Sequence, residues 1–395
     1  MLKSVRLVNF FSFGDCTIDL EPDLNVLVGI NGSGKSNFLR AFQLLKAGVD
    51  GRLREQIAQW GGGGGVRNKG LNRGQKEEDT QISITIRAEY LKRLGYKSNH
   101  DAIYEIALLW SSDKFTVIEH IQLADEDWTI IFSTPIDGVK YYDVNIGEEK
   151  ILIDYLDDVP GELVLPKMAS QTEMPELRAI ARALRDLDIY RLFNTTEDAP
   201  MRTTVRATGV DKLLPNGDNM FQVLNTTGLK STAAYDAIEA GLHDVNEHFQ
   251  RFRMNVYGQG SVEFYLQEKG LETPIHAAQV SDGTLSYLCL LVALYQPGRG
   301  RLVIFDEPER NLHPDMLLEL GKQLERASEQ CQIMVTTHAP GLLNQFPLRA
   351  VRVFEKDENN QTQVRQFTEE DFAGWYETFA PGQMWRDGAL GGNRY

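Results

Sequence analysis

Eight consecutive residues near the N-terminus, Gly29-Ile30-Asn31-Gly32-Ser33-Gly34-Lys35-Ser36, put three glycines, an ammonium and two hydroxyls where a polyphosphate could be held. They fit the pattern GxxxxGK[ST]. Its glycines let backbone N–H groups turn inward, and the start of a following helix adds positive potential for anionic oxygens. Lys35 would meet the β and γ phosphates and Ser36 would ligate Mg²⁺. A second run, Leu302-Val303-Ile304-Phe305-Asp306-Glu307-Pro308, is four apolar residues ending in two carboxylates, as expected of a buried strand that delivers acids to its C-terminal edge. Ligands of open α/β sheets gather at that edge. Asp306 would hold Mg²⁺ directly or through water, and Glu307 would orient and partly deprotonate the water that attacks the γ-phosphate. Ile333 to Thr336 repeats the design and presents His338 at the same edge, where it could contact the phosphate or the water; a solitary histidine after a strand is also commonly structural. Ser281 and Asp282 precede an apolar stretch, Leu285 to Tyr295, as N-cap candidates, and a capped helix start is itself an anion site.

These groups need a scaffold, and the chain supplies one. LNVLVG runs into the glycine turn and then into NFLRAFQLLKAG, whose apolar spacing predicts a helix. ISITIRAEY, AIYEIALLW, FTVIEHIQL, WTIIF and VKYYDV have the spacing of antiparallel hairpins. The glycine run Gly61 to Gly65, flanked by Arg52, Arg54, Arg67, Lys69, Arg73 and Lys76, reads as a mobile basic connection. In MPELRAIARALRDLDIYRLF, the residues Leu177, Ile180, Leu184 and Leu187 share one helical face, with arginines between them. The end of the chain alternates helix and strand, which predicts a doubly wound parallel sheet. Three domains are expected: 1–158, the first half of a nucleotide-binding core with an antiparallel β layer; 159–255, a helical insertion lobe; and 256–395, the second half of the core.

Composition removes other classes. A charged fraction of 25% and an apolar fraction of 42% exclude a largely disordered chain of this length, 395 residues. The formal charge of -15 disfavours a protein that coats nucleic acid with its whole surface, though a local basic patch can still bind phosphate. Cys16, Cys289 and Cys331 are widely spaced, with no zinc-like cluster. The acidic groups Asp125-Glu126-Asp127 and Glu369-Glu370-Asp371 read as solvated turns or caps rather than metal sites. The longest apolar run is shorter than the ~20 residues that cross a bilayer, and the N-terminus lacks a signal-peptide pattern, so a cytoplasmic protein without a membrane association is expected.

P-loop, serine–glycine helix start, apolar strand with Asp-Glu and strand with His, in this order, resemble the ATP-binding-cassette (ABC) ATPases of the SMC, RecF and OLD group. The chain is most similar to the stand-alone predicted ATPases called AAA-21 or RecF-like, through Gly29 to Asn37, Ser281 to Leu285, Asp306 to Pro314, Thr336 to Pro340 and Trp385 to Arg394. The resemblance implies an α/β P-loop NTPase of ABC-ATPase type, a mixed sheet with an antiparallel β layer and a helical lobe. It implies an ATP site made of Gly29, Asn31, Gly32, Ser33, Gly34, Lys35, Ser36 and Asn37, with Ser36 and Asp306 on Mg²⁺ and Glu307, Lys35 and His338 in catalysis. It further implies a head-to-tail homodimer in which Ser281 and Gly283 reach the γ-phosphate on the other subunit and Asn311 to His313 lie at the seam. Asp282 stands where many cassette ATPases have a second glycine, a substitution common in the RecF-like branch. The family's glutamine loop has two candidates by position, Gln75 and Gln81. Residues 160 to 250 show no sustained heptads, so long coiled-coil arms are not expected, and the stretch after His338 is too short for the nuclease domain of OLD-type proteins.

Two functions follow as expectations. One is an ATPase switch in DNA repair or phage defence that acts on DNA or on a partner nuclease or toxin, with Arg52 to Lys76 and Arg178, Arg182, Arg185 and Arg191 as places for phosphate contacts. The other is an ATP-gated binding module with little turnover that controls such a partner. Retention of Glu307 favours the first, because a non-hydrolysing switch needs no water-polarising carboxylate.

Overall fold

The computed structural model describes residues 1–70, 79–96, 99–111, 114–123, 128–133, 139–143, 148–153, 161–171, 174–372 and 380–391; for the strands between 128 and 153, and for Gln259 and Glu369, only the backbone is described. Strand Leu24–Val28 is buried along its whole length, as is Gln332–Thr336, because helices cover both faces of the sheet they belong to. That sheet has the order Leu187–Tyr190, Leu302–Asp306, Gln332–Thr336, Leu24–Val28, Val351–Lys356, Thr362–Gln366. All its pairings are parallel except the last. Parallel strands end on one side, so Val28, Asp306 and Thr336 bring their following loops to a common edge.

An eight-stranded antiparallel sheet, from Phe13–Asp19 and Leu2–Phe10 through Thr80–Ile86, Ala102–Ser111 and Lys114–Leu123 to Glu148–Ile153, forms the second layer. Thr80–Ile86 alternates buried and half-buried residues, the pattern of a sheet with one face on a core. Between the layers lies the P-loop helix, Lys35–Val49, whose Phe38, Leu39 and Phe42 sit in the core shared with this sheet. Buried Gln332 fastens the layers: its amide donates to Leu2 O at 2.9 Å and Glu21 O at 2.6 Å and accepts from Leu2 N at 2.8 Å. A second core surrounds the helix Asp282–Tyr295, which is apolar on every side and buried from Leu285 to Leu294. A small antiparallel sheet, built on the hairpin Phe249–Tyr257 and Ser261–Glu268, packs on it.

The expected α/β architecture with an antiparallel layer is present, and three local readings change. The segment read as one helix through Phe193 ends at Arg185; Leu187–Tyr190 is a strand parallel to Leu302–Asp306. Leu187 fell on the helical face by coincidence of spacing, whereas Asp188, the second residue of the strand, is buried with its Oδ2 accepting from Gly300 N at 2.6 Å. The region assigned to a helical lobe therefore also contributes the edge strand of the central sheet. Arg191 follows that strand and is not on a helix. The glycine run is not a loose connection: Gly63–Val66 is a helical turn, and a Cβ on Gly65 would stand 1.8 Å from Trp60 O. Only glycine fits that approach. Asp125 to Asp127, Arg73, Gln75 and Lys76 lie outside the described residues. Among the described residues no helix is long and apolar enough to cross a membrane, and the three cysteines are free and buried.

Candidate nucleotide site

Strand Leu24–Val28 delivers the chain to Gly29, which turns with φ 149°, and Gly34 closes the loop with φ 116° before the helix begins. Both positions exclude a side chain: a Cβ on Gly29 would lie 2.3 Å from Phe354 O, and one on Gly34 2.2 Å from Thr362 Oγ1. The loop is buttressed from the neighbouring hairpin, since Thr362 Oγ1 donates to Ser33 O at 2.8 Å and Ser12 Oγ accepts from Asn37 Nδ2 at 2.9 Å. Lys35 Nζ folds back to Gly29 O at 2.6 Å and Ile30 O at 3.3 Å. Burial lowers its pKa to about 8, against the opposing pull of Glu307, Asp306 and Glu309. Asn31, Gly32 and Ser36 face solvent, while the buried Ser33 Oγ has no partner. A rigid cradle with an inward-turned lysine, an unpaired inner hydroxyl and an open outer one fits a polyphosphate.

The acids stand opposite. Thr336 Oγ1 donates to Asp306 Oδ1 at 2.7 Å, and Arg191 Nε donates to Asp306 Oδ2 at 3.1 Å from the end of the edge strand. Glu307 takes a left-handed backbone, φ 55°, which non-glycine residues adopt rarely; its N–H donates to Thr336 Oγ1 at 2.9 Å and so fixes the turn. From there Oε1 lies 3.1 Å from His338 Nε2, and Oε2 accepts from Arg310 Nε at 2.5 Å. Burial, with Lys35 nearby, moves His338 below the ordinary histidine value, against the opposing pull of Glu307 and Asp306. Glu309, which motif reading left without a role, joins the two loops: its Oε1 accepts from Thr337 Oγ1 at 2.7 Å and from His338 N at 2.8 Å. Its other oxygen is buried without a partner, and desolvation raises its pKa.

The helix Asp282–Tyr295 is capped by Ser281, whose Oγ accepts from Thr284 N at 3.2 Å and otherwise meets Thr284 Oγ1 at 2.8 Å. Ser281 is exposed. Its loop is set by a buried arginine, Arg202, which donates to the carbonyls of Thr195 at 3.0 Å, Ala278 at 3.2 Å and Val280 at 2.7 Å and pairs with Asp282. This gives the aspartate that stands where many cassette ATPases have a glycine a structural role: its carboxylate completes the arginine's shell. A Cβ on Gly283 would come within 3.0 Å of Asn311 O, so the helix start and the turn after the acids touch within one chain.

The structure thus gathers Gly29 to Asn37, Asp306, Glu307 and His338 at one sheet edge and leaves Ser281 presented outward on its own loop. Gln81 sits in the antiparallel sheet opposite Val8 and Ala107. Asp306 is reached by Thr336 from one adjoining strand and by Arg191 from just past the other. Arg191, Arg202 and Glu309 carry no local signal of these roles, because their partners are 115, 80 and 29 residues away. Among the described residues no cluster of three or more His, Cys, Asp or Glu could hold a metal, and Asp371 caps its own turn by accepting from Thr368 N at 2.7 Å. The hard oxygens of Ser36 and Asp306 suit Mg²⁺, which takes few protein ligands beside phosphate and water.

A parallel sheet with a P-loop, paired acids and a histidine at one edge, backed by an antiparallel layer, defines a P-loop ATPase of the RecF and SMC type. The family model described as "AAA domain, putative AbiEii toxin, Type IV TA system" matches residues 24–344, and the chain belongs to that family. The chain is 24% identical over 394 residues to the "Retron Ec83 probable ATPase" of Escherichia coli, covering 86% of this chain and 68% of that one. It is 28% identical over 160 residues to the DNA replication and repair protein RecF of Streptococcus uberis, 40% of this chain and 41% of that protein, so it spans about two fifths of this relative. An SMC head solved with the C-terminal winged-helix domain of ScpA superposes with a TM-score of 0.56 at 12% identity, covering 94% of this chain and 99% of that one. At that identity the likeness concerns the fold.

Proposed function

We propose that the protein hydrolyses ATP with Mg²⁺ as a head-to-tail homodimer and uses the cycle as a switch in DNA repair or phage defence, acting on DNA or on a partner nuclease or toxin. The observation that carries the catalytic part is Glu307, held by its turn with one oxygen on His338 and the other on Arg310. In this reading the P-loop amides and Lys35 bind the β and γ phosphates. Glu307 takes up a proton from the attacking water, and His338 orients that water or the phosphate. Mg²⁺ on Ser36 and Asp306 would supply charge neutralisation between phosphate oxygens. Lys35 must leave Gly29 O, and Arg191 must release Asp306, before the phosphates and the ion can take their places.

The dimer reading is supported by Ser281, an exposed serine whose hydroxyl bonds within its own cap, on a loop held rigid by Arg202. Ser281 and Gly283 would then serve the partner's phosphate, and Asn311 to His313 would lie at the seam. The retron relative, named as a probable ATPase, and RecF, named for DNA replication and repair, support the choice of pathways. A second reading, an ATP-gated module of low turnover that controls a toxin or nuclease partner, is favoured by the cation on each acid, Arg191 on Asp306 and Arg310 on Glu307. Turnover with and without duplex DNA, measured beside Glu307→Gln, separates the two. DNA-stimulated phosphate release absent from the variant supports the switch. An ATP-stabilised dimer with negligible wild-type turnover, unaffected by DNA, supports the module and removes the first reading.

A further inference from the structure

The edge strand Leu187–Tyr190 pairs with Leu302–Asp306 on one side, and among the described residues no strand covers its outer side. Uncovered strand edges carry unpaired N–H and C=O groups and are templates for another strand. This edge does not face open solvent. It lies along a cleft of about 800 Å³ between the P-loop helix, the helix Leu53–Gln59 and the loop 212–216, and Leu187 through Leu192 all line it in succession. Two large apolar side chains, Leu192 and Leu214, stand together at its rim, 54% and 48% exposed.

The charges in the cleft select among occupants. Lys46, Arg52, Arg191 and Lys212 line it, against Asp50 and Asp188. Asp188 pairs with Lys212 Nζ at 2.5 Å and accepts from Gly300 N at 2.6 Å, so those two charges cancel; Lys46, whose Nζ donates to Arg185 O at 2.6 Å, Arg52 and Arg191 remain against Asp50, which meets Arg52 at 3.4 Å. A positive trough on a chain of formal charge -15 is a local device. An open β edge with an apolar floor and basic walls calls for a ligand with a β backbone, small apolar groups on one side and carboxylates on the other.

We propose that this cleft binds an extended acidic segment of a partner protein, which adds a strand to Leu187–Tyr190 and places carboxylates against Arg52 and Arg191. Backbone pairing gives affinity in this mode and alternate side chains give specificity. The site is wired to the nucleotide. Arg191 lines the cleft and also holds Asp306 at 3.1 Å, so a carboxylate that draws Arg191 away frees the aspartate. That consequence for turnover rests on the ATPase reading above; the binding itself does not.

The test is a selection of twelve-residue peptides from a displayed library on the full chain, followed by synthesis of the selected peptide and anisotropy titrations. Sequences alternating Asp or Glu with β-branched residues should be enriched. The synthetic peptide should bind at least about tenfold more weakly to Arg52→Glu and to Leu214→Asp, both exposed positions outside the nucleotide site, a change of about 1.4 kcal/mol each. N-methylation of its alternate amides, which keeps its charge and removes its donors, should weaken it by a similar factor, and bound peptide should slow hydrogen exchange at 187–192. An empty selection, a peptide that binds both variants as tightly as the wild type, or indifference to N-methylation overturns the proposal. Displacement of the peptide by a twenty-nucleotide oligothymidine that loses affinity on the same variants would assign the cleft to nucleic acid instead and equally overturn it. If peptide binds as expected while no ATP is hydrolysed, the docking site stands and the ATPase reading falls.

Discussion

The two halves of the proposed nucleotide pocket are prepared in opposite ways. At the sheet edge every charged group already has an internal partner: Lys35 on Gly29 O, Asp306 on Arg191, Glu307 on Arg310 and His338. On the Ser281 loop the exposed hydroxyl bonds within its own cap, and what holds the loop is behind it, in Arg202. The first half must exchange partners when phosphate arrives, so its response can be regulated. The second half is preorganised and needs only to be brought up, which suits a group that acts across an interface.

Breaking the first half should give the largest effects. Glu307→Gln keeps the shape of the turn and removes the proton acceptor, so kcat for phosphate release falls by about 10²- to 10⁴-fold while ATP still binds. Lys35→Ala removes a charged donor to phosphate and weakens ATP about 10- to 100-fold in a binding titration. An unchanged affinity would mean that the lysine stays on Gly29 O in the bound state.

Disturbing the second half should cost folding as well as activity. Arg202→Ala leaves several buried carbonyls without donors and lowers stability by about 3 kcal/mol in a denaturant titration. Ser281→Ala, which removes only a cap and an outward hydroxyl, lowers stability by about 1 kcal/mol. Equal losses for the two would erase the distinction between a scaffold and a presented group. The smallest effect is expected for Glu309→Gln. It keeps the bonds to Thr337 and His338 and gives the partnerless oxygen's position a neutral amide, so kcat should fall only a few-fold at unchanged KM, against a larger fall for Glu309→Ala. A change in KM would place Glu309 on the nucleotide rather than behind His338.

The sequence made the site legible where chemistry is local. Gly29 to Ser36 must be contiguous because one turn and one helix start build the cradle, and Asp306, Glu307 and His338 follow apolar strands that end at one sheet edge. The groups that hold these residues were not legible. Arg191 and Arg202 act on Asp306 and Asp282 through folding of the chain, and nothing in their neighbourhoods differs from a solvated arginine. Helical spacing also carried Leu187 into the preceding helix, since a four-residue strand is too short to show a period of two against a stronger neighbouring pattern. The glycine run misled for a related reason: composition suggests freedom, while Gly65 lies against Trp60 O with no room for a side chain.

The most direct test of the shared pocket mixes two inactive chains. Lys35→Ala lacks a working cradle and Ser281→Arg lacks a working loop, yet a heterodimer of the two holds one complete site. Random pairing should restore about a quarter of wild-type ATP turnover per chain, because half the dimers are mixed and each mixed dimer has one of two sites intact. A mixture that associates by size-exclusion chromatography and remains as inactive as its components would contradict a pocket completed by a second copy.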